Sequence, residues 1–373
     1  MSTPPSSAAP VPGPLAVQTE MISDVPSTPK PAAATSRGSL LLAELGRLRR
    51  RRLVSALVLL GLVALLAAMT TVFVTHHDDV AAAHAAARQH LVEETKNQET
   101  FRQQCLTDPR LTQSDKDQGA CDYGTLTEDM FFADPRFRAD PGLPMVALGV
   151  GVGGALLAAL IAATASGADW SSRSMITLLT WETRRLRFLG TRLLAVGLYV
   201  AGLGVVSQAF GLGLAALTVQ LRGTWQDAPP PAADSPPDVG MLALGRFWPE
   251  LLSLQLRAVL VTVLVAVMAT ALATVFRSTG GVLGVAFGWF AVAEIGVHAL
   301  FGNRSVVRFM LTENLTAALS PGGTTLYVGQ HLTPEGMVPR VMHLSNLAGL
   351  GYLAVVAVVL CAIAAVLLRR RDL

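Results

Sequence analysis

Long apolar runs organise this chain, rather than strict alternation or a narrow helical stripe. Six stretches are predominantly apolar, at 53–75, 145–168, 193–221, 251–276, 282–301 and 347–368. A helix rises about 1.5 Å per residue, so about 20 such residues cross the ~30 Å hydrocarbon layer of a bilayer. Lipid leaves the backbone no water to bond, so each run is expected to be a helix that satisfies its own N–H and C=O groups. That expectation extends to the second run, whose Gly content is poor on helix propensity. Its many small residues predict close approach of a neighbouring helix. The predicted fold class is an all-α integral membrane protein with six transmembrane helices.

The polar segments between the runs set the expected orientation. Residues 1–38 are rich in Pro, Ala, Ser and Thr, too short of large apolar side chains to offset chain entropy, and are expected as a disordered tail. Residues 39–52 read SLLLAELGRLRRRR, with Leu40, Leu41, Leu45 and Leu48 at helical spacing. Two readings fit that stretch: an interfacial amphipathic helix on the inner leaflet, or a simple basic anchor. The run at 53–75 is too long for a signal-peptide core and has no small-residue cleavage site before His76 and His77, so it is expected to stay as a signal anchor. Arginines then recur on alternate flanks, at 47–52, 173–192, 277 and 369–371. By the positive-inside rule this gives an N-in, C-in topology with a long extracytoplasmic loop at 76–144. The loop is expected to be partly helical and to begin as a continuation of the first span. The outer segment at 302–346 carries apolar patches and predicts short helices dipping into the outer leaflet.

Composition supports the membrane reading and removes others. Of the 373 residues, 51% are hydrophobic and 15% charged, against about a quarter charged in soluble domains. The formal charge of +3 comes from arginines beside apolar spans, which points to lipid and away from nucleic acid as the partner. The chain has no G-x-x-x-x-G-K-[ST] loop, no H-E-x-x-H and no G-x-S-x-G, so no phosphate cradle or hydrolytic motif is legible. It is expected not to be an enzyme and to hold no cofactor or metal itself. His76, His77, His84 and His90 are read as solvated surface histidines ahead of a metal site.

One polar stretch stands out. Residues 167–192 read GADWSSRSMITLLTWETRRLRFLGTR, on the inner side between the second and third spans. Trp170, Met175, Leu178, Leu179 and Trp181 make a short amphipathic face that needs a partner or headgroups to cover it. The stretch resembles the cytosolic coupling segment of ABC-2 type permeases, in the form of actinobacterial members of that family. The family's acidic residue, small-residue pair, Leu-Leu, Pro or Thr, and basic residues fall here on Asp169, Ser174-Met175, Leu178-Leu179, Thr180, Arg184-Arg185 and Arg192. Ser-Met and Trp-Glu, the latter including Glu182, stand where the family has Gly-Thr and Pro-Val. The basic turn Arg277 to Gly281 and the ending at 367–373, LLRRRDL, add to the resemblance, which covers residues 47–373.

The resemblance implies a permease subunit, a homodimer or a pair with a paralogous permease. A cytosolic ABC ATPase subunit would dock on 167–192 and hold the ATP and Mg. Export is the implied direction. The competing reading of 167–192 is a plain basic loop. The competing function is a membrane-anchored scaffold or sensor that uses the outer loop without transport.

Polar residues inside the spans complete the candidate set, because a charge at mid-bilayer costs at least about 2.5 kcal/mol. Arg257 lies about 7–9 Å from the outer boundary of its span and Glu294 about 10–12 Å from that of its own. The matched depths predict an ion pair, with a substrate-path role as the alternative. His298, one turn on, extends that network, and Gln208 is expected to bond a neighbouring helix. Cys105 and Cys121 share the outer loop and are expected either as a disulfide or as free thiols.

Overall fold

The computed structural model describes residues 37–110, 112, 119–171, 185–225, 247–302, 305–333 and 336–370. Helix α1 (Arg37–Arg50) meets α2 (Arg52–Thr75) at Arg51, an extended residue that breaks the helix. Then follow α3 (Val80–Thr107), α4 (Ala139–Ser171), α5 (Arg185–Arg222) and α6 (Phe247–Phe276). The next span is composite: α7 (Thr279–Gly288), a π-helical stretch at Trp289–Gly296 and α8 (Val297–Phe301). A 3-10 turn (Ser305–Phe309), α9 (Leu311–Leu319) and α10 (Asn346–Arg370) complete the helices. Six of these helical segments are long and apolar enough to cross a bilayer: α2, α4, α5, α6, the α7–α8 composite and α10. This is a multi-pass membrane protein.

A seam of small residues organises the bundle. Ala147, Gly151, Ala155, Ala158, Ala162 and Ala165 of α4 are buried at three- and four-residue spacing, hence on one face. That face packs along α6, the helix with the largest buried share. A Cβ added to Gly151 would stand 2.8 Å from the Ala258 Cβ, so only Gly allows the two backbones this close. Gln208 of α5 donates to the Ala147 carbonyl at 3.0 Å, the expected interhelical bond. At the rim, α2, the α7–α8 composite and α10 leave most of their apolar surface uncovered. Helix α1 contributes the buried Leu48, with Leu41 and Leu45 packed beside it, to the cluster formed by α2, α4, α5 and α6.

The described part of the loop between α2 and α4 is a built unit. Helix α3 does not continue α2: Asp79 accepts a hydrogen bond from the Ala82 N–H at 2.9 Å and caps a fresh helix. A disulfide joins Cys105 at its far end to Cys121. His84 stacks on Phe132 and lies 2.8 Å from the Glu128 carboxylate, tying α3 to the 3-10 turn at Glu128–Met130 and the residues after it. Arg136 donates two side-chain bonds to Asp134, and these bonds hold that carboxyl below the usual range. A short parallel pairing of β1 (Phe137–Arg138) with β2 (Gly223–Thr224) fastens the loop to the end of α5.

The described residues are mostly helical, in line with the expected all-α membrane class, and a β-hairpin is added at this end of the bundle. After α9 the chain forms an antiparallel hairpin, β3 (Thr324–Thr333) with β4 (Gly336–Leu344), its register shifted by a bulge between Tyr327 and Gln330. One expectation needs correction: Arg257 and Glu294 form no ion pair and instead serve opposite ends of α9. Glu294 accepts from the Leu311 N–H at 2.8 Å, the Thr312 N–H at 3.2 Å, the Thr312 hydroxyl at 2.5 Å and the Trp289 indole at 3.0 Å. Met310, at the N-cap position, supplies no side-chain cap, so a carboxylate from another helix takes that role. Arg257 points to the Ala318 and Ser320 carbonyls at 3.4 Å, and Asn346 donates to Ala317 and Ser320 at 2.7 Å. Negative charge at the amino end and positive charge at the carboxyl end is the arrangement the helix dipole favours. His298 joins this assembly, with Nε2 3.0 Å from Glu313 of α9.

Glu294 is therefore expected to be the main fastening of α9. Glu294→Ala strands two backbone donors and an indole N–H and should cost about 3 kcal/mol; Glu294→Gln keeps one acceptor and should cost about 1 kcal/mol. Thermal unfolding of the purified variants in detergent reads both, and an unchanged midpoint for the alanine variant would remove the cap from this account.

Candidate functional site at the basic end of the bundle

The arginine-bearing flanks of the spans converge at the end of the bundle opposite the hairpin. Asp169 occupies the last turn of α4 and is 4% exposed. Arg192, in the second turn of α5, is 3% exposed and donates from Nη2 to Asp169 Oδ2 at 2.5 Å. Arg51, at the α1–α2 joint, hydrogen-bonds to Asp169 Oδ1. Arg47 of α1 lies 4.0 Å from Oδ2 and is itself bonded to Glu44 at 3.1 Å. One carboxylate thus ties α1, α2 and α5 to the end of α4.

Burial explains why the residues are Arg and Asp. A lone carboxylate at this depth would be strongly disfavoured, and pairing with hydrogen bonds to the remaining protons makes it tolerable. The guanidinium fork supplies those bonds. The Ala165 carbonyl, one turn before Asp169, accepts from Arg51 at 2.6 Å and from Arg192 at 2.9 Å. Ser166 Oγ accepts from Arg192 Nε at 3.4 Å. Each carboxylate oxygen accepts from a guanidinium, so the node is suited to holding helices together.

Next to the node, α4 meets the turn between α6 and α7. A Cβ on Gly167 would fall 2.5 Å from the Thr279 nitrogen, so this contact requires a residue without a side chain. Arg277 takes a left-handed conformation with φ 53°, usually left to Gly at a helix end, and its guanidinium lies 4.7 Å from the centre of the Trp170 ring. The strain costs about 1 kcal/mol. Arg185, at the start of α5, donates to the Leu368 carbonyl near the end of α10 at 3.2 Å. Every span therefore touches this end through a basic residue or an immediate neighbour of one.

Of the residues expected to form a coupling segment, Asp169, Trp170 and Arg185 belong to this convergence. Met175, Leu178, Leu179, Trp181, Glu182 and Arg184 lie outside the described residues. The polar residues at Gln208, Arg257, Glu294 and His298 serve helix packing and the α9 assembly, well separated along their helices from the node. The basic turn at Arg277 was singled out in the sequence, whereas the inward role of Arg51 was missed. Arg51 is one of four consecutive arginines, and no periodicity marks which of them turns inward.

The node predicts a large, specific penalty. Asp169→Asn leaves Arg51 and Arg192 facing each other without a counter-charge and should cost about 3–5 kcal/mol. The double change Asp169→Leu with Arg192→Met should recover much of that loss. Thermal unfolding in detergent distinguishes the two, and an Asp169→Asn protein as stable as the parent would contradict the pairing. No family model matches this chain and no curated protein matches it, so the functional reading rests on the node and the span pattern themselves.

Proposed function

We propose that this chain is the membrane-spanning permease subunit of an ATP-driven transporter of the ABC-2 type. In this reading it exports its substrate and works as a homodimer or beside a paralogous permease. Its energy comes from a separate cytosolic ATPase that docks on residues 167–192. The observation that carries the reading is the node. Asp169 and Arg192 lie at the two ends of that segment and are bonded to each other at 2.5 Å, with Arg51 on the same carboxylate. A push on the segment loads α4 and α5 together, and through Arg51 it loads α1 and α2. The sequence has no phosphate-cradling loop, so ATP and Mg belong to the partner. In this reading the node faces the cytosol and the chain is N-in, C-in, as the positive-inside rule expects.

The outer unit favours a second reading. Helix α3, its disulfide and the His84–Glu128 tie form a braced body of the kind a sensor or scaffold would use.

Purification of the tagged full chain from its own cells separates the two. The permease reading expects a Walker-type ATPase in the preparation and a crosslink to it from Thr180→Cys in a Cys361→Ala background. A preparation that never contains an ATPase chain, with no crosslink formed, would leave the scaffold reading standing alone.

A further inference from the structure

A cleft opens where α2 begins and α4 ends, beside the node. It has a volume of about 350 Å³ and is lined by Arg51, Arg52, Leu53, Thr164, Ala168 and Asp169, among others. Arg51 is engaged by Asp169 and the Ala165 carbonyl, whereas Arg52 is exposed and makes no side-chain bond among the described residues. Among the described residues, the charges lining the cleft are Arg51 and Arg52 against the carboxylate of Asp169, which Arg192 also pairs. Arg47 lies 4.0 Å from that carboxylate, already paired with Glu44. The balance favours an anion.

The cleft also sits at the depth where α2 passes from its arginines into 24 residues of span. Its wall on α4 continues away from the arginines as the row Ala168, Thr164, Leu160 and Leu156, each four residues from the next and so on one face. Leu160 and Leu156 are exposed, at 37% and 66%. Leu53, on the opposite wall, is 55% exposed. A basic head of about headgroup size thus leads into an uncovered apolar track, which fits one ligand chemistry: a phosphate carried on an acyl chain.

We propose that this cleft binds an anionic phospholipid, with its phosphate on Arg52 and the free edge of Arg51 and its acyl chain along Leu160 and Leu156. The site is independent of the transport reading. It places a lipid against the one carboxylate that joins α1, α2, α4 and α5, so occupancy adds an anion to a node that otherwise holds more positive than negative charge.

Native mass spectrometry of the full chain, delipidated in detergent and titrated with phosphatidylglycerol or phosphatidylcholine, tests it. Phosphatidylglycerol should be retained about tenfold more strongly, and Arg52→Ala should abolish that preference while Arg52→Lys keeps part of it. Thr164→Trp, which fills the cleft without touching an arginine, should also abolish it; its thermal unfolding midpoint and that of Arg52→Ala should match the parent's. Should Arg52→Ala fail to fold, Thr164→Trp decides alone. Equal retention of the two lipids, or an unchanged preference in Thr164→Trp, would overturn the proposal. Displacement of phosphatidylglycerol by millimolar inorganic phosphate would overturn the lipid assignment in favour of a soluble anion.

Discussion

Inside hydrocarbon, a polar group without a partner has no water to fall back on, and this single constraint explains most of what is unusual in the chain. Straight spans meet it by themselves. At several places where the chain departs from a straight span, a charged or amide side chain arrives from another helix to meet it. The amino end of α9 is met by Glu294 and its carboxyl end by Arg257 and Asn346. The Ala165 carbonyl, near the end of α4, is met by two arginines. The π-helical stretch at Trp289–Gly296 follows the same logic, because it carries both Trp289 and Glu294, five residues apart and bonded to each other.

The same constraint divides the molecule into three levels. The middle is close-packed by small side chains along α4 and α6, with no charge to spare. One end is held by charge, through Asp169 and its arginines. The other is held by capped backbone, through α9, the hairpin and the short β1–β2 pairing. Movement at the charged end would have to carry several helices together, since the carboxylate that would be released from one arginine would remain buried beside another.

The spans were legible because their signal is length and apolarity, neither of which depends on tertiary contacts. The small-residue seam was legible for a similar reason: Gly and Ala at three- and four-residue spacing have one obvious use in lipid. Arg257 and Glu294 were picked out in the sequence as polar residues within spans, but their partnership was misread. Two opposite charges at similar depth suggest each other, and nothing in a linear sequence says that a nine-residue helix from a later segment lies between them. The hairpin was missed because residues 302–346 were read for apolar patches. The β-branched and aromatic residues of TTLYV, followed by the Pro-Glu-Gly turn residues at 334–336, were the available strand signal. Arg51 was hidden by its neighbours, because a run of four arginines satisfies the positive-inside rule whichever of them turns inward.

The run of arginines then has more than one physical role. A topological anchor needs only positive charge near the headgroups, and the exposed Arg49, Arg50 and Arg52 provide it. Arg51 is different, because the break between α1 and α2 at this residue turns its side chain toward α4. A continuous helix through 51 would place it on the same spiral as its neighbours, in register with Leu48 and Ser55, and would separate α1 from the Leu41–Leu48 packing against the bundle. The helix break, the buried arginine and the seating of α1 are therefore one structural decision. The acidic residue that makes it affordable is Asp169, 118 positions further along the chain.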